Sequence, residues 1–419
     1  MKKVLSVMLL VLLSCALLSA QPAKETAGTT ESTSAEVVSS ATTAATKEES
    51  SSSGTSDYIM ADGADIRNYT TSKIHPDFNV TKNDDGTTSV TDMLGRRVTF
   101  KSEDAKIWNS SPTSEALLCA IVPDQILGWA RQFSADQLAY YPEVVRNLPV
   151  LGGNYGGKTA NVEGILTYGP DAIICAYSSK DESQIASSSK SADESEEKYN
   201  APVIALSRNI WDEGTNARLI GEAFGKAERG AEVEAYIDRI LSLVDETVAA
   251  AEYHPTYYYA EGTDGLKTEN PAVFHVDVFN YCRLPSAAGD DVALTSQMGQ
   301  ETVSFEQVLQ WDPEYIFVYN KSAYDLITTD PGWAEIRAVK DGHVYLNPYT
   351  PQNWFDRSPC SLRVLGCLFC ASVAYPDTCT YDLRTEVYNF FEFMYGVQLT
   401  DSQLDAVMPG TVTQDKILM

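Results

Sequence analysis

The chain has 419 residues, with 58 acidic against 31 basic side chains and a formal charge of −27. That length exceeds what one hydrophobic core organises, so two bodies are expected. With that charge and no Lys/Arg-rich run, nothing can neutralise a phosphate backbone, which excludes nucleic-acid partners, and the one long apolar run, at the N-terminus, excludes a multi-span membrane protein.

Lys2 and Lys3 precede the apolar run 4–13, a charged n-region followed by a short h-region, so residues 1–20 read as a signal peptide. Leu12-Leu13-Ser14-Cys15 resembles the lipobox of bacterial lipoproteins, which would make Cys15 the lipid-anchored mature N-terminus; cleavage after Ala20 without a lipid is the other reading. Either way the protein is exported. From 21 to 57, 17 of 37 residues are Ser or Thr and none is aromatic, so this stretch cannot bury enough apolar surface to order itself and reads as a tether.

After the tether, residues 88–100 read as a β-hairpin turning at Met93-Leu94-Gly95-Arg96. Strands are expected at 106–109, 172–176, 203–206, 256–260, 315–319 and 343–346, separated by helix-period segments, the pattern of parallel sheets with crossover helices. Between 212 and 254 a Pro-free stretch with apolar residues at three- and four-residue spacing reads as one long amphipathic helix, with a candidate break near 225–230. Cys119, Cys175, Cys367 and Cys370 lie in apolar runs and read as buried small hydrophobes, while Cys360 and Cys379 are candidates for one bridge.

An internal echo organises these elements. In Asn161-Val162-Glu163-Gly164-Ile165-Leu166 and in Ser304-Phe305-Glu306-Gln307-Val308-Leu309, the Glu is followed at +3 by Leu, at +7 by Pro, at +8 by an acid and at +10 by Ile. Asn161 and Ser304 suit N-caps, and each Pro punctuates the entry to an apolar strand. The chain therefore divides into an N-terminal α/β lobe (58–211), a linking helix (212–254) and a similar C-terminal α/β lobe (255–419).

This ordered set resembles the solute-binding proteins of ABC importers for iron-siderophores, haem and cobalamin. The resemblance rests on Val90-Thr91-Asp92-Met93-Leu94-Gly95-Arg96, Ser111-Pro112-Thr113-Ser114-Glu115, the two echo segments, Trp333-Ala334-Glu335-Ile336-Arg337-Ala338-Val339 and Tyr375-Pro376-Asp377. It implies two Rossmann-like α/β lobes joined by a single long α-helix, with the ligand in a cleft between them. It also implies a monomer that hands a metal chelate, a siderophore or haem complex ahead of cobalamin or a nickel chelate, to a permease dimer with its ATPase. Glu163 and Glu306 match the surface glutamates that meet the permease in that family. Two segments, 178–200 and the tail after Asp377, have no counterpart in it.

Ligand contacts are expected on loops after the strands: Ser110, Ser111, Tyr155, Tyr177, Arg208 and Trp211 in the first lobe, and Glu261, Lys267, His275, Tyr319, Lys321, Trp354 and Arg357 in the second. Arg208 and Arg357 would pair with an anionic chelate, the aromatics would offer flat apolar area, and His275 could fill an open position on a chelated metal. No dense ligand cluster for a bare ion is visible. There is no His-Glu-x-x-His, Gly-x-Ser-x-Gly or Walker loop, and the four His stand apart, so neither catalysis nor a resident cofactor is indicated. An extracytoplasmic sensor built on the same lobes is the competing reading.

Overall fold

A computed structural model describes residues 77–101, 104–179, 181–293, 300–357 and 361–408. The signal peptide, Cys15, the tether and Cys360 lie outside these residues. The first strands, β1 (Asn79–Lys82), β2 (Thr87–Thr91) and β3 (Arg97–Lys101), form an antiparallel meander, one strand more than the expected hairpin. The turn between β2 and β3 is pinned by buried Asp92, whose Oδ1 accepts from the N–H groups of Leu94 at 3.0 Å and Arg96 at 2.9 Å. Gly95 there takes φ +79°, a conformation that favours glycine.

Two three-stranded parallel sheets follow. β4 (Ile107–Asn109), β5 (Ala172–Tyr177) and β6 (Val203–Ser207) pair in chain order. After β7 (Tyr257–Ala260) comes a short antiparallel pair, β8 (Lys267–Thr268) and β9 (Glu301–Thr302); β10 (Tyr315–Val318) and β11 (Val344–Leu346) then join β7 in the order β7-β10-β11. All six strands expected in the two parallel sheets are present. Their side chains alternate between two buried faces, as parallel strands require. Ile107, Ile174 and Ile204 face one core while Trp108, Ile173 and Val203 face another. In the second sheet Tyr257, Phe317 and Tyr345 join the same core as Ile107, with Tyr258, Ile316 and Val344 on the far side. One continuous core thus spans both sheets, and both belong to one compact unit.

The internal echo is structural. Helices Val162–Tyr168 and Phe305–Trp311 each lead into the middle strand of a sheet, capped by Asn161 and Ser304 and ended by left-handed residues Gly169 and Asp312. The acid at +8 does the same work twice. Asp171 accepts from the Lys106 N–H at 3.0 Å, and Glu314 from the Thr256 N–H at 2.9 Å, each fixing the residue before the neighbouring strand.

The break expected near 225–230 is present, and it makes 212–254 a helical hairpin rather than one long helix, Glu213–Ala223 and Ala227–Ala249, turning at Gly225 with φ +77°. The cause is a glycine contact: a Cβ on Gly221 would lie 2.6 Å from the Gly230 Cα and 2.7 Å from the Lys226 carbonyl oxygen. Because both obstacles are backbone, Gly221→Ala should destabilise by about 1–3 kcal/mol. A urea midpoint equal to wild type would show that the hairpin relaxes around the methyl.

The segment 178–200 contains an 18-residue helix, Glu182–Tyr199, N-capped by Asp181, with only Ala192 and Tyr199 buried. Arg96 pairs with its Asp193 and Glu196, tying it to the β2–β3 turn. The tail forms helices Leu383–Tyr395 and Asp401–Val407 and returns to the first half, where Phe391 meets Tyr140 and Tyr395 meets Tyr141. Cys119, Cys367 and Cys370 are buried free thiols as expected and Cys175 is partly buried, while Cys379 is an unbridged thiol.

Candidate ligand-binding site

In parallel sheets ligands gather beyond the carboxyl ends of the strands, because the loops there are free to vary over a fixed scaffold. In the second sheet those loops carry Glu261 after β7, Tyr319 after β10 and the segment 347–357 after β11. Asn353 shapes that last segment, its Oδ1 accepting from the N–H groups of Phe355 and Asp356 and from the Asn347 amide. The turn delivers Asp356 and Arg357, the latter with φ +43°.

Arg357 Nε bonds Glu261 Oε1 at 3.0 Å and lies 3.1 Å from Asp356 Oδ2, and its Nη2 bonds Glu269. The three carboxylates are buried, and one oxygen from each lies within 4.8 Å of the others, a set able to hold a metal ion. One guanidinium cannot neutralise three carboxylates, so burial, together with Glu261 alongside, pushes the Glu269 carboxyl well up. Arg357 is therefore the internal counter-ion of this cluster, which corrects its expected role as a free clamp for an anion. His275 is buried with Nδ1 on Asp356, and its Nε2 has no hydrogen-bond partner among the described residues.

From His275 the contacts continue to the first sheet. The rings of Phe274 and His275 lie 4.1 Å apart, and the Arg208 guanidinium sits 5.1 Å over Phe274. Arg208 follows β6, Tyr177 ends β5, and Arg208 Nη2 donates to the Ala176 carbonyl at 3.1 Å. Trp211 meets Tyr281 in a tilted ring contact, centroids 5.5 Å apart. Arg208, His275 and Arg357 thus belong to one contiguous polar band between the carboxyl ends of β6 and β7.

The other expected contacts lie outside that band. Tyr155 is half-buried under the Lys158 ammonium at 5.4 Å. Lys267 is half-buried in β8, with its backbone paired to Glu261. Tyr319 is half-buried, its N–H on the Ala260 carbonyl at 2.9 Å. Trp354 is fully buried, its indole donating to the Thr350 carbonyl, and is a core residue rather than an exposed platform. Sequence reasoning missed Glu269 and Asp356. The only signal was an Asp beside an Arg in Trp354-Phe355-Asp356-Arg357.

Beneath the band lies a second charged cluster. Arg363, fully buried, bonds Asp277 at 3.2 Å and Glu213 at 3.4 Å and donates to the Arg208 carbonyl at 2.6 Å. Burial pushes the Asp277 carboxyl up to about 8, Glu213 and Asp212 to about 6, and Glu115, beside Arg131, to about 7. An acid whose folded pKa lies above its unfolded value of ~4 keeps a proton that the unfolded chain has lost, so stability is highest at low pH and falls as pH rises from ~4 to ~8. The melting temperature should therefore be higher at pH 5 than at pH 8; a flat or rising profile would contradict the burial of these carboxyls.

Residues 125–350 match the family described as Periplasmic binding protein, more than half of the chain. The chain belongs to the periplasmic binding protein family. It is the extracytoplasmic solute-binding component of an ABC importer and not an enzyme. The molybdate-binding protein MolA of Haemophilus influenzae is 24% identical over 341 residues, which cover 73% of this chain and 90% of MolA. The uncharacterized ABC transporter substrate-binding lipoprotein YvrC of Bacillus subtilis is 22% identical over 265 residues, covering 61% and 77% respectively. Among solved structures, an ABC transporter solute binding protein from Sulfurospirillum deleyianum superposes with a TM-score of 0.66 at 26% identity, over 76% of this chain and 98% of that one.

Proposed function

We propose that this binding protein captures a metal chelate of the iron-siderophore or haem class between the carboxyl ends of its two sheets and delivers it to a membrane permease. In this reading the halves around the two sheets act as lobes, the hairpin of helices between β6 and β7 connects them, Cys15 carries a lipid anchor, and Glu163 and Glu306 meet the permease. The supporting observation is the uneven charge of the polar band. Three buried carboxylates share one guanidinium at the end of β7, whereas Arg208 at the end of β6 has no ion-pair partner among the described residues. A ligand with a cationic centre and anionic donor groups satisfies both ends, because buried charge is tolerated only when paired.

Trp211 borders this band and makes intrinsic fluorescence the natural readout. Titration with a panel of ferric hydroxamate and catecholate siderophores, haemin, cobalamin, nickel–histidine and molybdate should give saturable quenching with a ferric chelate and a weaker response to the metal-free chelator. A response to molybdate alone would move the protein to the oxyanion class named for MolA and reject the chelate reading.

A further inference from the structure

The helix Glu182–Tyr199 plays no part in the reading above, and its sequence is unusual in placing Ser187, Ser188, Ser191 and Ser195 along one side. These four hydroxyls, with Ser110 from the end of β4, line a cavity of about 330 Å³ against the end of β5. Asn154, Cys175, Ala176, Tyr177 and Arg208 complete the wall, and the lining contains no carboxylate. Arg208 is the one cation present. Its Nε is shut off from water with no hydrogen-bond partner, and no carboxylate lies within ion-pair distance among the described residues.

That isolation distinguishes it from the guanidiniums of the two charged clusters. Arg357 has three carboxylates and Arg363 has two. No carboxylate pairs with Arg208 among the described residues, and it faces hydroxyls instead. An enclosed charge without a counter-ion is costly, and the ring of Phe274 offsets only a part of that cost. Ser188, Ser195 and Ser110 already donate to backbone carbonyls, which fixes them as walls. Ser187 and Ser191 make no such bond; Ser191 turns to the neighbouring Tyr177 hydroxyl instead, and both hydroxyl hydrogens can swing toward an incoming oxygen. A guanidinium plus rotatable hydroxyls, without a competing carboxylate, is a donor set for an oxyanion.

We propose that this cavity is a binding site for a small tetrahedral oxyanion of the phosphate or sulfate class, with Arg208 supplying the charge and Ser187 and Ser191 the hydrogen bonds. The site shares Arg208 with the polar band of the proposed function, while its hydroxyl wall does not depend on which chelate that band carries. A phosphate group and a free sulfate share the recognising chemistry, and separate titrations tell them apart.

The test is isothermal titration of the whole mature protein, free of any chelate, with sodium phosphate and with sodium sulfate in chloride of matched ionic strength. One of the two should bind at a single site with a Kd on the order of 1 mM or tighter. Arg208→Gln should abolish that binding. Ser191→Leu, which fills the mouth, and the pair Ser187→Ala/Ser191→Ala should weaken it about tenfold or more, the range for hydrogen bonds to a charged group. If Ser191→Leu does not fold, the double alanine variant, which only trims hydroxyls from exposed helix positions, carries the same comparison. Absence of saturable heat with both anions overturns the proposal, as does wild-type affinity in the double alanine variant. Because Arg208 also closes the polar band, chelate quenching is read in the double alanine variant, which leaves Arg208 and the carboxylate cluster intact, and anion binding lost with chelate quenching kept separates the two readings.

Discussion

Replacing Arg363 by Met should cost about 3–5 kcal/mol of stability, the loss expected when one partner of a buried ionic cluster is removed and the other charges stay behind. Arg363 has no exposed surface, and it connects Asp277, Glu213 and the Arg208 carbonyl. Glu213 keeps a second contact, from the Ser361 hydroxyl at 3.2 Å, but Asp277 Oδ1 has no hydrogen-bond partner among the described residues even with Arg363 present. The deficit should shrink at pH 5, because protonated carboxyls need no counter-ion. Adding Glu213→Gln and Asp277→Asn should restore much of the loss by removing the stranded charges. Denaturant titration of the single and triple variants at pH 5 and pH 8 decides it: a single-variant loss under ~1 kcal/mol, or a deficit independent of pH, would mean that the cluster is held by something other than charge pairing. Loosening the Arg208 carbonyl should also weaken ligands held at the end of β6, a second readout that packing loss elsewhere would not move.

How much of this was legible beforehand follows from where each interaction lives. The strands of the parallel sheets declare themselves because both faces are buried, so runs such as Ala172-Ile173-Ile174 carry their own signal. The echo was readable because its caps and first-turn acids are local, and the contacts of Asp171 and Glu314 show why the acid at +8 recurs. The helix Glu182–Tyr199 gave no such signal, since two buried residues in 18 leave no apolar stripe. The acidic cluster was invisible for another reason: Glu261 and Asp356 are 95 positions apart, and their meeting depends on β7 and β11 flanking β10 in one sheet. Trp354 shows the limit of composition, because an indole in a loop reads equally as ligand platform or as core until its surroundings are known.

Reversing both echo glutamates, Glu163→Arg with Glu306→Arg, should abolish uptake while leaving ligand affinity and fold intact. Both side chains are exposed in the first turn of seven-residue helices whose caps, Asn161 and Ser304, do not involve them. Losing a first-turn acid costs about 0.3–1 kcal/mol through the helix dipole, so the melting temperature should fall only slightly. Docking is affected far more, because a permease surface that pairs with two carboxylates would instead meet two guanidiniums, and like charges at an interface cost several kcal/mol. The duplicated setting supports this use: each glutamate opens the helix that leads into the middle strand of its sheet, so a two-fold symmetric partner would find the same geometry twice. Each single reversal should give intermediate uptake. Transport assayed in cells carrying the cognate permease, beside fluorescence titration of the purified variants, separates the two roles. Normal uptake by the double variant would reduce both residues to helix-capping charge, and lost uptake with equally lost ligand affinity would place them at the ligand instead.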